Sequence, residues 1–173
     1  NFASNNKYAR EGAELLHKHN LLGSCLGVRV TSVDKDDLIH FKKHGCCNVG
    51  FGIETGSQTM LDIMEKKVKV EDTKYVIKSC AEIGLHVNFE GFMVGMPGES
   101  LKTAQESGKL MGELCASIRV PVDLVFASTD LSYAIPLVGT PLYEYGKQLG
   151  LVGQTTEQEE EYLEMTSNIS QYK

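Results

Sequence analysis

VGFGIETGSQ, residues 49–58, reads as a short apolar strand that ends in a carboxylate and passes into a turn of small and hydroxyl residues. Val49, Phe51 and Ile53 alternate with Gly50 and Gly52, a period of two that puts bulk on one face and leaves the other open to close approach. Glu54 stands at the C-terminal end of the strand, where parallel α/β sheets place their ligands. Gly56 relaxes the turn, and Ser57 is placed to cap a helix through Met60, Leu61 and Met64. A carboxylate there can accept bonds from a hydroxyl pair or an ammonium group. The plainer reading is an acidic loop after a buried strand.

The same plan recurs along the chain. A helix over residues 1–20 carries Tyr8, Gly12, Leu15 and Leu16 on one face, and a short strand over 26–30 contains Arg29 near its end. A helix over 35–44 follows, capped by Asp34 and stopped by Gly45. After the central strand come a helix to about residue 64, a basic run of Lys66, Lys67 and Lys69, and a helix from Val70 that Gly84 ends. A third strand, 86–95, places Val87, Phe89 and Met93 on one face and His86, Asn88, Glu90 and Phe92 on the other. Polar residues inside a parallel strand point to a ligand-facing lumen or a satisfied buried pair. A helix over 100–115, a strand over 122–127, a helix opened by Thr140-Pro141 and a last acidic helix from Thr156 complete the pattern. Glu157, Glu159, Glu160 and Glu161 read as a solvated helix start.

Strands recurring at this spacing predict an α/β fold, a partial (β/α) TIM-like barrel of about four parallel strands with flanking helices. Four strands cannot close a barrel that needs about 250 residues. Its open edges predict self-association.

The 173 residues carry a formal charge of -6 with a pI near 5.4, which argues against broad contact with nucleic acid. No apolar run approaches the roughly 18 residues of a membrane span, and no leader pattern opens the chain, so a cytoplasmic protein is expected. Five cysteines, Cys25, Cys46, Cys47, Cys80 and Cys115, lack framework spacing and read as small buried hydrophobes. No residues are assigned as metal ligands.

Arg29, GFGIETGSQ at 50–58, Lys66, GFMVGMPGES at 91–100 and PLVGTPLYE at 136–144, taken in that order, resemble the C-terminal half of a radical SAM core domain. The pattern is most similar to the magnesium-protoporphyrin ester cyclase-like branch, many of whose members carry a cobalamin-binding domain upstream. The resemblance covers residues 1–150, leaving 151–173 as a C-terminal acidic helix. It implies that Glu54 and Ser57 contact the ribose or amino-acid part of S-adenosylmethionine and that Lys66 faces its carboxylate, with Arg29 within reach. Phe92, Val94, Gly95 and Pro97 would line the adenine, and Asn88 and Glu90 would face a small-molecule substrate.

The family holds a [4Fe–4S] cluster through three cysteines spaced CxxxCxxC, and no such triplet occurs here. Asn1-Phe2 resembles the end of an earlier strand, so a chain whose cluster loop lies upstream is expected, with a homologue that has lost its cluster as the alternative. Two function classes follow. One is part of an enzyme that reductively cleaves S-adenosylmethionine for radical chemistry on an organic substrate. The other is a non-catalytic α/β binding module. Cobalamin use and the identity of the catalytic residues stay open.

Overall fold

The alternation at 49–53 becomes a strand, β2 (Cys46–Glu54), whose bulky side chains Val49, Phe51 and Ile53 are at most 3% exposed. In this computed structural model, which describes residues 2–119 and 129–169, β2 lies between β1 (Gly23–Val28) and β3 (His86–Val94), parallel to both. A fourth strand, β4 (Thr129–Tyr133), lies next to β3, so the sheet runs in chain order β1-β2-β3-β4. Four parallel strands with flanking helices make an incomplete (β/α) barrel.

One face of the sheet is sealed by helices. Leu38 and Phe41 come from α2 (Lys35–Lys43). Val76, Ile77 and Cys80 come from α4 (Val70–Ile83), which follows the short α3 (Gln58–Ile63). Leu110, Leu114 and Cys115 come from α5 (Leu101–Ile118). All pack against Val49, Phe51, Val87 and Phe89 in a single hydrophobic cluster. The opposite face carries Gly50 and Gly52 of β2 in register with Asn88 and Glu90 of β3, while Phe92, level with Glu54 just after the left-handed Gly91, joins the core cluster. Helix ends follow local chemistry: Asp34 and Asp37 cap α2 reciprocally, and Gly84, at φ +68°, closes α4 as a left-handed residue must.

Several expectations are corrected. Helix α1 (Asn6–Lys18) buries Ala9 and Ala13, while Tyr8 and Leu15 are 69% and 57% exposed. Small side chains allow close approach, and size misidentified the buried face. Phe2 lies in a single 3₁₀ turn, Phe2–Ser4, rather than at a strand end. Cys46 is buried but Cys47 is exposed. Strand β1 starts and ends earlier than expected, leaving Arg29 just beyond it. The strand expected at 122–127 lies outside the described residues.

The chain divides into two compact units, residues 1–132 and 133–173. In the second, α6 (Pro141–Gln148) begins with Thr140 Oγ1 accepting the Tyr143 amide. Tyr143 is fully buried, with its ring 5.5 Å from that of Tyr162 on α7 (Thr156–Ile169). Lys147 reaches Glu159 at 2.6 Å, so the acidic start of α7 is not merely solvated. The division expected at residue 150 falls between these two helices.

Candidate functional site at the end of the second strand

Glu54 ends β2 in the left-handed region, at φ +66°. A non-glycine residue pays for that conformation, and such residues cluster at ligand sites. Immediately after it, the Thr55 amide donates to the Ile53 carbonyl at 2.8 Å, closing a very tight turn. Ser107 of α5 fastens that turn: its Oγ lies 2.9 Å from Thr55 Oγ1 and accepts the Gly56 amide at 2.9 Å. Gly56 is required here, because a Cβ would sit 2.7 Å from the Glu106 carbonyl oxygen, the Ser107 Cα and the Leu110 Cβ.

Ser57 occupies the N-cap position of α3, yet its hydroxyl caps nothing. The side chain is fully buried, and its Oγ has no hydrogen-bond partner. An unpaired buried hydroxyl costs free energy unless something else satisfies it.

The loop after α3 folds back over the strand end through two left-handed residues, Glu65 at φ +52° and Lys67 at φ +53°. Between them Lys66 sends its ammonium to Glu54 Oε1 at 2.8 Å, and its carbonyl accepts from Arg29 Nη2 at 2.6 Å. Arg29 therefore braces the lysine loop rather than pairing with Glu54. Arg29, Gly52, Glu54, Leu61 and Lys66 line a cleft of about 220 Å³. That is below the roughly 300–1,000 Å³ of a complete small-molecule site, so this cleft can take only one end of a nucleoside-sized ligand.

On the neighbouring strand, Glu90 Oε2 accepts the Gly27 amide at 2.8 Å, reaching from β3 to β1 across β2. A Cβ on Gly50 would lie 2.0 Å from Glu90 Oε1. The bare glycine face thus admits the protein's own carboxylate. Asn88, half-buried, lies level with Gly50. Phe92 is only 4% exposed and joins the core cluster. With Val94 and Met111 it lines a separate apolar cavity of about 380 Å³. The Gly95 amide donates to Glu99 Oε2 at 2.7 Å, and Pro97 is half-buried; neither lines either cavity.

The structure thus gathers Arg29, Glu54 and Lys66 round one cleft, leaves Ser57 buried just behind the turn, and sets Phe92 and Val94 apart. Thr55 and Ser107 were missed from the sequence. Thr55 lay within the TGS turn at 55–57, but Ser107 sits on a helix 52 residues away and gives no local signal. A larger cavity, about 650 Å³, is lined by Gly84, His86 and Ile118 at the N-terminal end of β3, opposite the end where such folds bind ligands.

The cysteines do not fit an iron–sulfur cluster. Cys25 and Cys46 lie 3.3 Å apart, sulfur to sulfur, and their hydrogen bond holds Cys25 protonated. Burial pushes the Cys80 thiol up to about 12, and it raises Cys115 as well. The bond from Cys25 lowers Cys46 instead, but Cys46 is buried, and among the described residues no three cysteines gather within ligand reach of one another, as a cluster needs. Cys47, the exposed one, is at the start of β2, remote from Glu54 along the strand.

The profile of the radical SAM superfamily matches residues 4–111. Cytidylyl-2-hydroxyethylphosphonate methyltransferase of Streptomyces wedmorensis is 29% identical over 117 residues, covering 67% of this chain and 21% of that protein. Anaerobic magnesium-protoporphyrin IX monomethyl ester cyclase of Rubrivivax gelatinosus is 32% identical over 93 residues, 51% of this chain and 17% of that protein. Among solved structures, the radical S-adenosylmethionine methyltransferase TsrM of Kitasatospora setae, with cobalamin and a [4Fe-4S] cluster bound, superposes with a TM-score of 0.66. That match has 19% identity and covers 90% of this chain and 30% of TsrM, so it speaks to the fold. The chain spans about a fifth of the length of the curated relatives it matches.

Proposed function

This chain belongs to the radical SAM superfamily, and from that premise we propose that the Glu54 end of β2 holds S-adenosylmethionine within a radical enzyme. The observation that carries the reading is the pairing of a strained carboxylate, Glu54, with a buried hydroxyl, Ser57, that has no partner of its own. Glu54 has acceptor oxygens for a ribose hydroxyl pair or an ammonium group, and Ser57 gains the partner it lacks. Lys66, already tethered beside Glu54, turns its ammonium to the ligand's carboxylate, and Arg29 keeps the loop in place. Phe92, Val94, Gly95 and Pro97 belong to the adenine side, and Asn88 and Glu90 to the substrate side.

In this family S-adenosylmethionine and a [4Fe–4S] cluster together supply the radical chemistry. None of the cysteines of this chain suits the cluster, so we assign its ligands to the remainder of the full-length protein and give these residues the task of binding and orienting. Likeness to methyltransferases, one solved with cobalamin, supports cobalamin as a further cofactor of that protein. No helix among the described residues is long and apolar enough to cross a membrane, and a cytoplasmic setting suits the reduced thiols. The alternative, a non-catalytic α/β module, draws on the same want of cluster ligands.

The test is 5′-deoxyadenosine release from S-adenosylmethionine by the full-length protein, reconstituted anaerobically with iron and sulfide and then reduced. Release that falls in Glu54→Gln supports the reading. No release from a protein that lacks a cluster favours the binding module.

A further inference from the structure

Away from the strand ends, α1 and α2 face each other through a ladder of polar contacts that climbs both helices in the same direction. Asn6 and Arg10 form the lowest rung, donating to the two carboxylate oxygens of Asp37 at 2.9 and 2.7 Å. One turn on, Glu14 Oε1 lies 3.3 Å from His40 Nε2. Above that, the His17 ring stands edge-on to His44, with centroids 5.4 Å apart. From the pattern and this geometry we propose that Glu14, His40 and His44 form a divalent transition-metal site, most suited to Zn²⁺, which staples α1 to α2.

The donor set is of the right kind. Imidazole and carboxylate are the ligands of three-residue zinc sites that leave a fourth position to water. Its spacing is right as well. His44, the C-cap residue of α2, follows His40 by four positions, which brings the two rings to one side of the helix end, with centroids 4.2 Å apart. The three donor atoms all lie within 4.8 Å of one another. A tetrahedral ion with Zn–N bonds of about 2.0–2.1 Å needs donors about 3.3 Å apart, the separation already found between His40 and Glu14.

Two further observations point to an ion. His44 Nδ1 lies 2.8 Å from the His40 carbonyl. Donating to that carbonyl fixes the tautomer and leaves Nε2 as a free ligand, the arrangement that metal-bound histidines adopt. His40 Nε2 is itself buried and makes no aligned hydrogen bond. The Glu14 side chain is 55% exposed, which gives an ion a way in. No local sequence motif marks this site, because Glu14 stands on α1 while His40 and His44 lie at the C-terminal end of α2, 26 or more residues on.

The test is titration of the tag-free full-length protein with Co²⁺ and, separately, with Zn²⁺. Cobalt bound here shows d–d bands without the sulfur charge-transfer bands of a thiolate site, which separates it from any cysteine cluster. We expect one such equivalent, affinity reduced by more than the roughly 10–100-fold that losing an outer-shell partner costs in His44→Ala, and full retention in Cys47→Ser. His40→Gln and Glu14→Gln guard against misfolding: both should lose the metal while keeping the far-UV spectrum of the parent. Zn²⁺ should raise the melting temperature of the parent and leave that of His44→Ala unmoved. Overturning results are an absence of sulfur-free cobalt bands, or an equivalent that survives His44→Ala; His40 and Glu14 would then be no more than an ion pair.

Discussion

Lys66 Nζ sits 2.8 Å from Glu54 Oε1, joining a left-handed strand end to the loop that folds back over it. The left-handed conformation costs a non-glycine residue about 1–2 kcal/mol, and a partly exposed ion pair contributes ~0–1 kcal/mol. The carboxylate is therefore kept at the expense of stability. Glu54→Gly should leave urea-induced unfolding within about 1 kcal/mol of the parent, or slightly more stable. A loss beyond ~3 kcal/mol would assign Glu54 a structural role in place of a ligand-binding one.

Gly56 and Gly112 make a contrasting pair. Alanine at 56 forces its Cβ against the backbone of α5, 2.7 Å from the Glu106 carbonyl oxygen, and should destabilise by about 1–3 kcal/mol. Alanine at 112, inside α5 with nothing within 4 Å, should stabilise by about 0.5–1 kcal/mol. Chemical denaturation of both variants checks the packing of the site turn against α5. Equal effects would mean that the turn does not rest on the helix as described.

The buried thiols predict an alkaline limit. Burial lifts Cys80 from an ordinary value near 9 to about 12, so the unfolded chain loses this proton first. Stability is full below about pH 9 and falls as pH rises through about 12. In Cys80→Ala that slope should flatten, read from denaturant midpoints against pH. Under native conditions a thiol reagent should label Cys47 quickly and the four buried cysteines slowly. Rapid labelling of all five would contradict the core placement.

Among the described residues, β1 has a paired neighbour on one side only. Residues 1–173 expressed alone should therefore associate beyond the 19.0 kDa monomer, as seen by light scattering across a concentration series. A monomer throughout the series would show that the edges are blunted by other means.

The fold was legible where one side-chain period dominates. Val49, Phe51 and Ile53 announced a strand buried on its bulky face, and Asp34, Gly84, Ser100 and Thr140 marked helix ends by local hydrogen bonding alone. Helix α1 misled because alanine contacts, rather than large side chains, set its inner face. Glu54 was marked by its place at a strand end and Lys66 only by the family resemblance, and their mutual contact depends on two left-handed loop residues that no sequence period reveals. Ser107 and the Glu90 to Gly27 bond were out of reach for a related reason: each joins segments more than 50 residues apart. Phe92 shows the limit of strict alternation, since it is buried in the core at the point where Gly91 turns left-handed at φ +67°.

The most direct test of the account is equilibrium binding of S-adenosylmethionine to the full-length protein, its Glu54→Gln variant and its Ser57→Ala variant. A charged hydrogen bond contributes about 1.5–3 kcal/mol, so Glu54→Gln should bind roughly 10–100-fold more weakly. Ser57→Ala should fold as stably as the parent, because its hydroxyl has no protein partner to lose, and yet bind less tightly. Unchanged affinity in both variants would contradict the assignment of the ligand to this strand end.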